Sequence, residues 1–92
     1  MIVKEVTILN PSGLHARPAA SFAALAGKFA SQVQIKNLTS NSNSVNAKSM
    51  LMILTLGLSR GMRAELLADG LDEEAAICEL ASFVECGCGE GI

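Results

Sequence analysis

The stretch NPSGLHARPAASFAALAGKF, residues 10–29, decides the fold. Its first four residues, Asn10-Pro11-Ser12-Gly13, break any strand that precedes them. Pro18 fits the first turn of a helix, where its missing N–H has no intrahelical partner to lose. From Ala19 to Phe29 the apolar residues Ala19, Phe22, Ala23, Ala26 and Phe29 recur at steps of three and four. That spacing predicts an amphipathic helix with one face on a core. Gly27 falls near its end.

Working outward, Met1 to Leu9 reads as a strand carrying Val3, Val6, Ile8 and Leu9. On the other side, Gln32 to Leu38 alternates Val33 and Ile35 with Gln34 and Lys36, the pattern of a half-buried strand. Thr39 to Ser44 is a polar loop, and Val45-Asn46-Ala47 is a short strand paired back through it. Ser49 suits a helix cap, so the apolar run Met50 to Leu54 is taken as a short helix. Met62 to Ala68 alternates as a strand, Asp69-Gly70 turns, and Asp72 to Phe83 forms a last helix. Its early carboxylates, on Asp72, Glu73 and Glu74, suit the positive end of the helix dipole. The order is β-α-β-β-α-β-α. With few apolar residues to spare in a chain this short, all three helices must cover one face of one sheet. The expected class is α+β: an open-faced two-layer sandwich with a four-stranded antiparallel sheet.

The chain has 92 residues, a net charge of −2 and a hydrophobic fraction of 50%. Those values fit one folded domain, placed at residues 1–86, with a glycine- and cysteine-containing flexible tail at 87–92. Near-neutral charge argues against an electrostatic grip on nucleic acid or acidic membranes. A local basic patch from Arg17, Lys28, Lys48, Arg60 and Arg63 stays open. No segment reads as a signal peptide, and Met50 to Leu58 is too short to span a bilayer. Three cysteines, Cys78, Cys86 and Cys88, do not make a fully paired disulfide framework. A cytoplasmic, monomeric protein is the expectation, with no nucleic acid bound and no membrane insertion.

The chemistry sits at the start of the first helix. Unpaired N–H groups and the positive end of the dipole attract anions there. His15 is the only histidine, and imidazole is a nucleophile when neutral. Arg17, two residues on, carries a guanidinium fork suited to phosphate. Ser12 and the backbone N–H groups of Ala16 and Arg17 are further donors, and Gly13 permits a close approach. A lone histidine at a helix start is more often a cap or a surface residue. The spacing Gly-x-His-x-Arg-Pro at a strand-to-helix junction reverses that balance.

Gly13-Leu14-His15-Ala16-Arg17-Pro18-Ala19 resembles the active-site signature of the HPr family, the phosphocarriers of the bacterial phosphoenolpyruvate-dependent sugar phosphotransferase system. Val45-Asn46-Ala47-Lys48-Ser49 resembles the segment around that family's regulatory serine. Leu54-Thr55-Leu56-Gly57 and the run from Asp69 to Ala75 resemble it too. The likeness covers roughly residues 2–85. It implies that His15 takes a phosphoryl group on Nδ1 from phosphorylated enzyme I and donates it to an enzyme IIA domain. Arg17 would orient and neutralise that group. The protein would be a stoichiometric carrier rather than a turnover enzyme, with no cofactor and no metal.

The same resemblance makes Ser49 the target of an HPr kinase/phosphorylase. A phosphate at a helix start is tolerated by the dipole, and near the His15 surface it would repel an acidic partner. The plain alternative is that Ser49 only caps a helix. Met50, Leu51, Met52 and Leu54 form an apolar cluster that a short helix cannot wholly bury, and methionine suits a surface that meets several partners; the resemblance implies that this helix and the first form the docking face. At least half of that cluster is ordinary core on the plain reading. Two features depart from the family pattern: the polar loop at 39–44 is longer, and the Cys86-Gly87-Cys88 end is foreign to it. Two rival readings remain. One is an NPr-like carrier of the nitrogen-related branch. The other, of a different class, is a small module holding an anion at the helix start or a metal at the cysteines.

Overall fold

The computed structural model describes residues 1–88. Seven elements follow in the expected order: β1 (Ile2–Thr7), α1 (Ala16–Ala26), β2 (Gln32–Asn37), β3 (Val45–Asn46), α2 (Met50–Leu54), β4 (Arg63–Asp69) and α3 (Glu73–Glu85). The four strands form one antiparallel sheet in the order β1-β4-β2-β3. The outer strands therefore come from the chain start and from the short hairpin partner of β2.

Alternation sets the two faces of this sheet. Val6 on β1, Val33 and Ile35 on β2, and Ala64, Leu66 and Ala68 on β4 are buried under the helices. In β4 the intervening Glu65 and Leu67 are only half-buried, on the face left open. The register places Glu65 between Glu5 and Lys36, and the Lys36 ammonium lies 3.7 Å from the Glu65 carboxylate. Above the covered face, Phe22 of α1 is fully buried and meets Phe83 of α3, ring centroids 6.2 Å apart. Ile53 of α2 and Ala76, Leu80 and Val84 of α3 complete the core.

The first helix differs from its expected limits. It begins at Ala16 and ends at Ala26, with Gly27 at the C-cap position donating to the carbonyl of Ala23. Phe29 lies past the helix and still packs against the core, so its match to the helical spacing did not make it helical. The last helix begins at Glu73 rather than Asp72, and runs to Glu85. Asp72 holds the N-cap position, but its side chain does not cap. Its carboxylate instead accepts from the backbone N–H of Ala30 at 2.8 Å, from that of Ser31 at 2.9 Å, and from the Ser31 hydroxyl. These hydrogen bonds, Ser31's hydroxyl first, hold the Asp72 carboxyl below its ordinary value.

The polar loop closes on itself. Asn37 is buried and donates to the carbonyl of Leu56 at 2.9 Å, while its own backbone N–H reaches the Ser42 hydroxyl at 2.9 Å. The tail expected at 87–92 falls largely outside the described residues. Its first two residues fold back: Gly87 donates to Val84 and Cys88 to Phe83, and the Cys88 side chain is buried in the core. The turn at Gly87 and Cys88 is thus tied to the end of α3.

Candidate functional site

The turn from β1 into α1 is built on a single close approach. Gly13 has φ +64°, and a Cβ there would stand 2.5 Å from the carbonyl oxygen of Leu58. Glycine is required on both counts. The approach it permits is to the backbone at Leu58 and Ser59, rather than to a ligand. Leu14 then donates to that same Leu58 carbonyl at 2.9 Å and buries its side chain. Buried Asn10 reaches forward to the Gly13 carbonyl at 2.7 Å. Ser12 sits half-buried in this turn. His15, the residue after Leu14, is thereby presented from a fixed support.

His15 is the N-cap residue of α1, with extended backbone angles. Its carbonyl accepts the first helical bond, from Ala19 at 2.8 Å. Its side chain does not cap the helix and is exposed. The imidazole is thus left to face solvent at the positive end of the dipole. Ala16 and Arg17 occupy the first two helical positions, where backbone N–H groups have no partner within the helix. Both are exposed, while Pro18 and Ala19 turn inward. One helix start therefore carries an exposed His15, an exposed Arg17 two residues on, and the N–H groups of Ala16 and Arg17 that the helix itself leaves without partners. Among the described residues, no group of three or more His, Cys, Asp or Glu could hold a metal ion.

Ser49 caps α2, its hydroxyl accepting from the Met52 backbone N–H at 3.4 Å. α2 lies along α1 and runs the opposite way. Leu58, after α2, touches Leu14 at the start of α1, whereas the Lys48 ammonium before α2 reaches the Phe29 carbonyl beyond the end of α1, at 2.8 Å. Ser49 therefore stands toward the far end of α1 from His15, along a helix about 16 Å long at 1.5 Å per residue. On α2, Leu51 is 71% exposed and Met52 43%. Met50 and Leu54 are half-buried, and Ile53 supplies the buried side. Sequence reasoning did not single out Asn10 or Leu58, the two supports of the histidine turn. A buried asparagine in a loop leaves no periodic signal.

Comparison with known proteins shows the family. Residues 2–86 match the family model described as "PTS HPr component phosphorylation site". The phosphocarrier protein HPr of Buchnera aphidicola subsp. Baizongia pistaciae is 40% identical over 84 residues, covering 91% of this chain and 95% of the relative. The multiphosphoryl transfer protein of Haemophilus influenzae is 40% identical over 91 residues, but this chain spans only 18% of that protein's length. The crystal structure of HPr-C-His from Thermoanaerobacter tengcongensis superposes with a TM-score of 0.91 at 42% identity, with complete coverage of both chains.

Proposed function

The chain belongs to the HPr family of phosphotransferase-system phosphocarriers, and from that premise we propose that His15 accepts a phosphoryl group from phosphorylated enzyme I and passes it to an enzyme IIA domain. The observation that carries the reading is the exposed His15 ring at the N-cap of α1, not engaged in capping. Nδ1 attacks the phosphorus in line as the donor's nitrogen leaves. The oxygens of the transferred group then meet the N–H groups of Ala16 and Arg17, the Arg17 guanidinium and the nearby Ser12 hydroxyl. Positioning and charge neutralisation are most of what such a transfer needs. The histidine is regenerated only when an acceptor takes the group, so the protein works as a stoichiometric carrier, as a monomer in the cytoplasm.

Leu51 and Met52, exposed beside α1, are the apolar part of the docking face, with Met50 and Leu54 at its border. Ser49 is the regulatory position on this reading. Its hydroxyl holds the helix cap through one long bond, so a phosphate could replace that contact and stay at the positive end of α2. Because Ser49 lies toward the other end of α1, its charge would act on a partner lying across both helices rather than on His15.

The test is direct. The protein is mixed with phosphoenolpyruvate and enzyme I, and an acid-labile mass gain of one phosphoryl group is expected. Equal gain in His15→Ala, or none in the wild type, sinks the carrier reading. For Ser49, an HPr kinase/phosphorylase with ATP should give an acid-stable phosphate that Ser49→Ala lacks.

A further inference from the structure

Cys86 and Cys88 take no part in the carrier reading, and they stand two residues apart in opposite environments. Cys86 stands at the C-cap of α3 and is exposed. It lines a shallow cleft of about 400 Å³ with Leu25, Cys78, Glu79, Ser82 and Phe83. Two residues on, Cys88 is only 3% exposed and belongs to the core. Gly87 between them has φ +89°, and Cys88 itself sits in the left-handed region at φ +54°. That conformation is unfavourable for a residue with a Cβ. It is held by the bonds from Gly87 to Val84, 3.1 Å, and from Cys88 to Phe83, 2.9 Å.

We propose that Cys86 and Cys88 form a redox-active dithiol whose substrate is a small-molecule disulfide. The Cys86 thiolate attacks one sulfur of that disulfide from the cleft. One small thiol leaves, and a mixed disulfide forms on Cys86. The Cys88 thiolate then attacks the Cys86 sulfur, expelling the second small thiol and closing an intrachain disulfide. The dithiol loses two protons and two electrons, and the small disulfide becomes two thiols.

Of the two pairs that Cys86 could form, the chain geometry favours the one with Cys88. Residues two apart span at most about 7 Å, and disulfide-linked Cα atoms lie about 4.4–6.8 Å apart. Cys78 and Cys86 are eight residues apart at either end of two helical turns, about 12 Å by the helical rise. They cannot be bridged without unwinding α3. In the reduced protein Cys88 points into the core while Cys86 faces solvent, so closing the bond requires the last turn to undock. The hinge for that movement would be Gly87, whose φ of +89° a glycine adopts without strain. Oxidation is thereby coupled to release of Cys88 from the core and of the turn from Phe83 and Val84. The docked turn should make the dithiol harder to oxidise than the same sequence in a short peptide.

The experiment equilibrates the full chain with graded ratios of oxidised to reduced glutathione, then alkylates remaining thiols under denaturing conditions. Proteolysis and mass spectrometry follow. Wild type and Cys78→Ser should both yield a disulfide within the 86–88 segment. It should need a several-fold more oxidising ratio than a peptide carrying Cys-Gly-Cys. Backbone amides of Gly87 and Cys88 should lose hydrogen-exchange protection only in the oxidised form. Cys86→Ser should give no intrachain bond. If Cys78→Ser accumulates only glutathione adducts, with Cys88 alkylated, the dithiol does not exist. A midpoint equal to the peptide's, or unchanged protection, overturns the coupling to docking. None of these readouts depends on phosphoryl transfer, so they stand or fall apart from the carrier reading.

Discussion

Gly13 lies so close to Leu58 that a Cβ on it would come within 2.5 Å of the Leu58 carbonyl oxygen. The contact joins the strand-to-helix turn to the segment after α2, and His15 is two residues beyond it. Gly13→Ala must pay the left-handed conformation, roughly 1–2 kcal/mol, and must also push the Leu58 backbone away. We expect a lower urea midpoint and a phosphorylation rate reduced at least tenfold, since the His15 ring shifts with the turn. A variant with wild-type stability and wild-type rate would show that the support is dispensable.

Arg17 is exposed and packs on nothing that the core needs. Arg17→Ala should leave the melting temperature unchanged and slow phosphoryl transfer from enzyme I. Arg17→Lys should recover only part of the rate, because an ammonium cannot present a planar fork to phosphate oxygens. Steady-state phosphorylation with each variant, alongside calorimetry, separates the two effects. Full activity in Arg17→Lys would reduce the guanidinium to a point charge.

Phe22 is fully buried and joins the two long helices through Phe83. Phe22→Ala should cost about 3–5 kcal/mol, a large share of the stability of a chain this size. Loss of cooperative thermal unfolding by circular dichroism is the expected result. A modest, cooperative shift of a few degrees would mean that the core collapses around the gap.

Period and punctuation carried most of the fold into the sequence. Val33 and Ile35 against Gln34 and Lys36 fixed which face of β2 is covered, and Ser49 marked the start of α2. The histidine turn was readable because glycine, proline and arginine each have one strong local reason to stand where they do. What could not be read was contact between distant segments. Phe29 kept the helical spacing, yet Gly27 had already ended the helix. Asp72 resembles a first-turn carboxylate, but Ser31 and Ala30, some forty positions earlier, claim its oxygens. Cys88, among glycines, looks like tail, and only the folded core shows the slot it fills.

That capture of Asp72 has a sign in pH. Its carboxyl is held below the ordinary value of 3.8, first by the Ser31 hydroxyl and then by the Ala30 N–H. A carboxylate favoured in the folded state adds stability that is fully present above the unfolded pKa. It is lost as pH falls through the lowered folded value. Stability of the wild type should therefore decline below pH 3.8 more steeply than that of Asp72→Asn, measured by urea midpoints at stepped pH. Ser31→Ala should flatten the decline in the same direction. Parallel curves for all three proteins would place the acid sensitivity elsewhere.

The opposed run of α1 and α2 gives the final prediction. Leu51 is 71% exposed and Met52 43%, both on α2, which packs beside α1. Leu51→Glu should leave stability within about 0.5 kcal/mol, as for an ordinary surface change. It should raise the apparent KM for enzyme I, with little change in the rate at saturation, because the charge touches docking and not the histidine. Ser49→Asp retains an acceptor at the cap and should act in the same way, through KM. Ser49→Ala loses the cap, at about 0.5–2 kcal/mol, and should keep its KM. If Ser49→Asp instead lowers the saturating rate with KM unchanged, the serine acts on the histidine site itself, and a partner spanning both helices is not the route.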